Sequence, residues 1–255
     1  MRRAILMCAG EYEPVPIPVE KETQSLRSAE AFDDCRDERP LVVAVDGGLP
    51  RLLAQGITPD IVLGDFDSLD PAFESILEKF GSENPDRLLR LPCEKDDTDT
   101  VYASRICLEH GCKELLFYGA LGGRLDHTVA NLQTLVWLKK RGADGYLIGK
   151  TTLACLVEAE TLRLPPDYEG TFSLFALDER VTGVTLRGMK YPLAEAELTH
   201  AFPIGVSNEV DRDTVRQTED GCASVSVRSG LALVILEKAE ADCMPDPALF
   251  ERIPF

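Results

Sequence analysis

The sequence predicts an α/β protein: an N-terminal, mostly parallel sheet flanked by helices, followed by an all-β sandwich domain. Three observations predict it. Up to about residue 148, short apolar runs alternate with helix-length segments, a spacing that calls for crossovers and parallel pairing. After it, the helical periodicity stops and β-rich runs follow one another between turn signals. Acidic residues stand just past the first set of runs, where an open α/β sheet binds its ligands.

The elements follow in order. Ala4–Ala9 reads as a buried strand, its apolar run too short for a secretory signal despite Arg2 and Arg3. Glu11 to Pro40 opens with Pro14, Pro16 and Pro18, which make a loop, and continues as a charged, helix-compatible stretch. Leu41–Val45 has the continuous apolar character of a strand covered on both faces. Pro50 to Gln55 is a short helix closed by Gly56. Ile61–Leu63 is a strand, and Asp70 caps a helix that begins at Pro71 and stops at Gly81. Leu88–Leu91 is a strand, Thr98 to His110 a helix stopped by Gly111, and Leu115–Tyr118 a strand. The helix from Leu125 to Arg141 ends at Gly142 and carries Leu125, Val129, Leu132 and Val136 as its apolar stripe. Gly145–Gly149 closes the α/β part, which spans residues 1–148. In residues 149–255, Thr171–Leu177, Val181–Arg187, Cys222–Arg228 and Leu231–Glu237 are strands of the sandwich, with no amphipathic helix among them.

The net charge of −17 argues against a nucleic-acid partner, because phosphate backbones are bound by basic surfaces. No apolar run approaches membrane-spanning length. The eight cysteines contain no CxxC pair, so the expectation is free thiols in a cytoplasmic protein.

The chemistry-bearing residues cluster at predicted strand exits. Asp65 and Asp67 in GDFDS can reach one cation through separate oxygens, although D-x-D also occurs in plain turns. Asp96, Asp97 and Asp99 surround Thr98 in KDDTD; helix capping uses one such residue, not four. Asp46 precedes Gly47-Gly48, which permit close approach of a ligand. So many carboxylates aimed at one crevice need a cation to offset their repulsion. GALGGRLDH, residues 119–127, combines a glycine loop, Arg124 with its bidentate fork, and a helix N-terminus, a set suited to phosphate. Asp126 lies in the same loop, and His127 and Asn131 stand one turn apart on the helix it opens. GYLIGKT, residues 145–151, is one residue short of a Walker loop and reads as strand.

In order, AVDGG, PDIVLGDFDS, EKDDTDT, GALGGRLDH, KYPL and GVSNE resemble the bacterial-type thiamine pyrophosphokinase family over residues 41 to 236. The segment Glu11–Pro40 is longer and richer in proline and acid than the family pattern. The resemblance implies transfer of a pyrophosphoryl group from ATP to the thiamine hydroxyl, releasing AMP, with Mg2+, in a homodimer with sites between subunits. It implies that Asp65, Asp67 and Asp99 hold the metal, with Asp46 and Asp96 in support. Arg124 and Asp126 fall at its phosphate end, and Ser207 and Asn208 at the thiamine. Three other readings compete: a pyrophosphokinase for a pterin-like hydroxymethyl heterocycle, a D-x-D glycosyltransferase, and a non-catalytic metal- or nucleotide-binding module. KYPL and GVSNE favour thiamine over a pterin, and the KDDTD and GGRLDH loops have no place in the glycosyltransferase.

Overall fold

Leu41–Val45 is buried along its whole length because it lies inside a sheet with a parallel strand on each side. The computed structural model describes residues 2–10, 39–67, 70–92, 94, 96–218, 220–238 and 244–255. The expected loop and charged stretch of Glu11–Pro40 lie outside the described residues, apart from Arg39 and Pro40. The chain divides into two units, Met1–Gly149 and Lys150–Phe255.

The first unit holds β1 (Arg2–Met7), β2 (Leu41–Val45), β3 (Ile61–Gly64), β4 (Leu88–Arg90), β5 (Cys112–Tyr118) and β6 (Asp144–Ile148). They lie in the order β4-β3-β2-β1-β5-β6, and every pair is parallel. The helices are α1 (Leu49–Ala54), α2 (Glu74–Glu83), α3 (Asp99–Glu109) and α4 (Leu125–Lys139). The chain walks outward from β1 to β4, then returns to the other side of β1 with β5. The carboxyl ends of β1 and β5 therefore form the topological switch point, where a doubly wound sheet opens a crevice. GYLIGKT is largely β6, as its apolar residues require.

Three helix readings need correction. Gly81 does not end its helix; α2 runs on to Glu83. A Cβ at Gly81 would lie 2.6 Å from the Leu88 side chain, so glycine here admits close packing on β4. Asp70 caps only a 3-10 turn, Pro71–Phe73, ahead of α2. In α4 the stripe faces the wrong way. Leu125 and Val129 are 77% and 48% exposed, and the buried face is Asn131, Thr134, Leu135 and Leu138.

The second unit is antiparallel: β7 (Thr152–Arg163), β8 (Thr171–Ala176), β9 (Arg180–Arg187), β10 (Leu193–Thr199), β11 (Asn208–Glu209), β12 (Ser224–Glu237) and β13 (Glu251–Pro254). The runs Cys222–Arg228 and Leu231–Glu237 are one strand, β12, not two. It is bulged between Val227 and Leu231 against β7, with Gly230 at φ 90° and Ala159 at φ 50°. Below the bulge β12 pairs with β9, and above it with β8. One bent ribbon thus feeds both layers of the sandwich. β7, β10, β11 and β13 were not expected from the sequence, and a one-turn helix, α5 (Arg212–Val215), interrupts the strands. Phe172, Leu174, Val184, Val225 and Val234 are among the residues that fill the core.

Candidate active site

The exits of β2 and β3 are built against each other. Asp46 adopts φ 49° at the end of β2, in the left-handed region that costs most residues energy. A Cβ on Gly64, at the end of β3, would stand 2.9 Å from the Asp46 Cα. Only glycine allows the GDFDS loop to pass this close to Asp46. Phe66, also left-handed at φ 59°, turns its ring inward under the Arg90 guanidinium at 5.5 Å. With Phe66 as the anchor, Asp65 is left half-buried and Asp67 exposed. Asp65 Oδ1 accepts from the Asp67 N–H at 3.2 Å, which fixes the turn between the two carboxylates.

Asp99 begins α3, and Thr98 caps it by accepting from the Val101 N–H at 3.3 Å. The capping reading of Thr98 thus holds, while Asp97 pairs with Arg105 at 2.7 Å and Asp96 is exposed. Burial pushes the Asp46 carboxyl above the ordinary range, and the charges of Asp65, Asp99 and Asp67 push it further. Three separate loops therefore bring Asp65, Asp67 and Asp99 within electrostatic reach of Asp46. Among the described residues, no three Asp, Glu, His or Cys side chains close into a metal-ligating cluster. Hard carboxylate oxygens still suit Mg2+, which usually takes only one or two of them together with substrate phosphates and water.

A cavity of about 220 Å³ opens at the switch point. Its walls come from the β1 exit (Cys8 to Gly10), the β2 exit (Asp46), the start of α3 (Thr98 to Thr100) and the β5 exit. His127 and Asn131 of α4 complete it. Asn131 is 8% exposed, and its Nδ2 donates to the Ala120 carbonyl at 2.8 Å, so its amide holds the glycine loop in place. The Cys8 thiol is pushed up to about 12 by burial, which makes it an unreactive part of the wall. The β1 exit was not among the residues expected at the site; its only signal in the sequence is its place beside β5, which topology alone supplies.

Arg124 and Asp126 do not line this cavity. They pair with each other at the mouth of the loop, Nη2 to Oδ2 at 2.6 Å and Nε to Oδ1 at 3.2 Å, both exposed. That pairing holds the Asp126 carboxyl below its usual range. Asp65, Asp67 and Asp96 also lie outside the cavity lining.

In the second unit, KYPL and GVSNE meet. The Asn208 amide is spent on Tyr191: it accepts from the Tyr191 N–H at 3.0 Å and donates to the Tyr191 carbonyl at 2.8 Å. Asn208 is thus buried as a brace, while Ser207 beside it is exposed at φ 58°. Tyr191, Phe202, Ile204 and Val206 are 61%, 66%, 63% and 46% exposed.

A doubly wound parallel sheet with a cavity at its switch point, followed by an antiparallel β unit, defines a class of two-part nucleotide-using enzymes. Residues 32–147 match the family of thiamin pyrophosphokinase catalytic domains, and residues 160–230 match the thiamin pyrophosphokinase vitamin B1 binding domain. The thiamine pyrophosphokinase of Bacillus subtilis is 31% identical over 175 residues, 68% of this chain and 80% of that protein. Thiamine pyrophosphokinase 1 of Oryza sativa is 26% identical over 217 residues, 72% and 77% of the two chains. The crystal structure of the Bacillus subtilis enzyme superposes with a TM-score of 0.70 at 25% identity, over 93% of this chain and 99% of that one. That of Candida albicans thiamin pyrophosphokinase shares the fold, with a TM-score of 0.67 at 15% identity over 92% and 90%. The chain belongs to the thiamine pyrophosphokinase family.

Proposed function

We propose that the chain transfers a pyrophosphoryl group from ATP to the hydroxyl of thiamine, giving thiamine diphosphate and AMP, with the switch-point cavity as its nucleotide site. The observation that carries the location is the convergence of Asp46, Asp65, Asp67 and Asp99 beside that cavity. Bound Mg2+ would be held by carboxylates drawn from Asp65, Asp67 and Asp99 and would neutralise the phosphate charge that these carboxylates otherwise repel. Asp46 and Asp96 stand behind those three.

The chain's own residues do the rest. Thr98, His127 and Asn131 border the nucleotide, and the glycine loop exposes backbone N–H groups to its phosphates. Arg124, steadied by Asp126, offers a permanent cation at the loop mouth. The thiamine hydroxyl attacks the β-phosphorus and AMP leaves. Asp46 or Asp99 accepts the hydroxyl proton, a small demand if the transition state is loose. Thiamine rests against Ser207 and the face that Asn208 braces. KYPL and GVSNE favour thiamine over a pterin-like heterocycle, and the exposed Tyr191, Phe202, Ile204 and Val206 offer apolar and aromatic faces to its rings. Those same side chains support a homodimer with sites shared between subunits.

The acidic charge of −17 supports a partner set of small molecules, with no nucleic acid. Cys8, Cys107, Cys112, Cys155 and Cys222 are buried thiols, and among the described residues no helix is long and apolar enough to cross a membrane. Buried thiols agree with work in the cytoplasm. The test is mass spectrometry of thiamine after incubation with the chain, ATP and Mg2+. A gain of two phosphates with matching AMP is expected; a gain of one would make the chain a simple kinase.

A further inference from the structure

Where β1 and β5 part, their backbones leave the ladder. The final rung is the Cys8 N–H donated to the Tyr118 carbonyl at 2.8 Å. The next two carbonyls turn instead to one side chain on α1: Arg51 Nη1 donates to Cys8 O at 2.6 Å, and Nη2 to Ala9 O at 2.8 Å. Across the gap stands Gly119 at φ 67°, where a Cβ would lie 2.8 Å from both Arg51 Nη1 and Cys8 O. Gly10 closes the other side, since a Cβ there would meet Gly119 O at 2.6 Å. One planar fork therefore holds the two β1-exit carbonyls and abuts Gly119 of the β5 exit, and both exits line the cavity. Arg51 itself does not line that cavity, and α1 is anchored in the core by Leu49 and Leu52, not by Arg51.

We infer that Arg51 is a positioning residue for the nucleotide: its guanidinium sets the separation of Cys8–Gly10 from Gly119–Ala120, and so the width of the ATP cavity. Two parallel donors at fixed spacing are what two successive carbonyls require, and a lysine ammonium cannot replace them. The inference rests on the cavity being the nucleotide site.

The test is steady-state kinetics on the full chain carrying Arg51→Met or Arg51→Lys. A displaced wall should raise the KM for ATP about tenfold in both, a modest share of what misplacement costs reacting groups. The KM for thiamine should stay within about twofold, because uniform binding of that substrate is untouched. Arg51→Gln, which keeps donors but loses the two-armed fork, should also raise the KM for ATP and serves if Arg51→Met does not fold. An unchanged KM for ATP in folded variants would overturn the inference. So would an equal loss in kcat and both KM values, the mark of a merely structural role. His127→Ala separates the two levels. If it weakens ATP while the Arg51 variants do not, only the role of Arg51 falls. If neither weakens ATP, the cavity is not the nucleotide site.

Discussion

Asp46 and Asp60 stand at opposite ends of neighbouring strands, and their fates show what decides a carboxylate's role. Asp60 is 2% exposed and fully engaged, by Arg39 at 2.6 Å and by the Val42 N–H at 2.9 Å. It pins the start of β3 to β2 and is structural. Asp46 is held among three other carboxylates, with its carboxyl pushed up by burial and by their charges. Below 3.8, its ordinary value, it is protonated whether folded or unfolded, and its burial costs nothing in charge. Between that value and its raised folded one the unfolded chain ionises first, so the native state loses stability as pH rises, and the full penalty stands above the folded value. Asp46→Asn should therefore raise the melting temperature at neutral pH in a chelator-containing buffer, and the gain should vanish on acidification below the ordinary carboxyl range. Thiamine-dependent AMP release should collapse in the same variant. Equal melting temperatures at neutral pH would show that the carboxylates do not crowd Asp46. Residue roles of this kind were half legible: the acids at strand exits stood out, but Arg124 and Asp126 bind each other, and Asn208 is a backbone brace.

Among the elements, α4 separates pattern from packing. Its apolar residues recur at helical spacing on two faces, and periodicity alone does not say which one meets the sheet. Gly145 settles it: a Cβ there would lie 2.6 Å from Leu135 and 3.0 Å from Leu138, so β6 is cut back to admit that face. Leu135→Ala should cost about 2–5 kcal/mol of unfolding free energy in urea, as a buried leucine does. Leu125→Ala should cost under about 0.5 kcal/mol, as an exposed site does. A reversal would restore the stripe expected from the sequence. Strands in the first unit were legible because continuous β-branched runs between helix signals have few other uses. β7 was not, because TLACLVEAETLR contains the alanine, leucine and glutamate of a helix. Pairing with β12 and β13 on its two sides overrides that preference.

For the molecule as a whole, the second unit leaves Tyr191, Phe202, Ile204 and Val206 exposed around the meeting point of KYPL and GVSNE. Apolar side chains gathered on loops call for a partner. Light scattering coupled to size exclusion should give twice the 28.1 kDa of one chain, and Phe202→Glu combined with Ile204→Glu should shift it to one. A native mass of one chain would remove the shared-site reading while leaving the chemistry of the first unit in place.

By itself the sequence determined the parallel sheet, the change to β structure beyond it, the acidic strand exits and the family. These are properties of local pattern: apolar period, glycine and proline punctuation, and ordered motifs, each confined to a few neighbouring residues. Only tertiary structure decided that β12 is one bent strand, that Asn131 and Asn208 hold loops, and that Arg51 clamps two successive carbonyls beyond β1. Each of those facts depends on which distant backbone groups meet. A side chain's spacing along the chain carries no record of the carbonyl it will find.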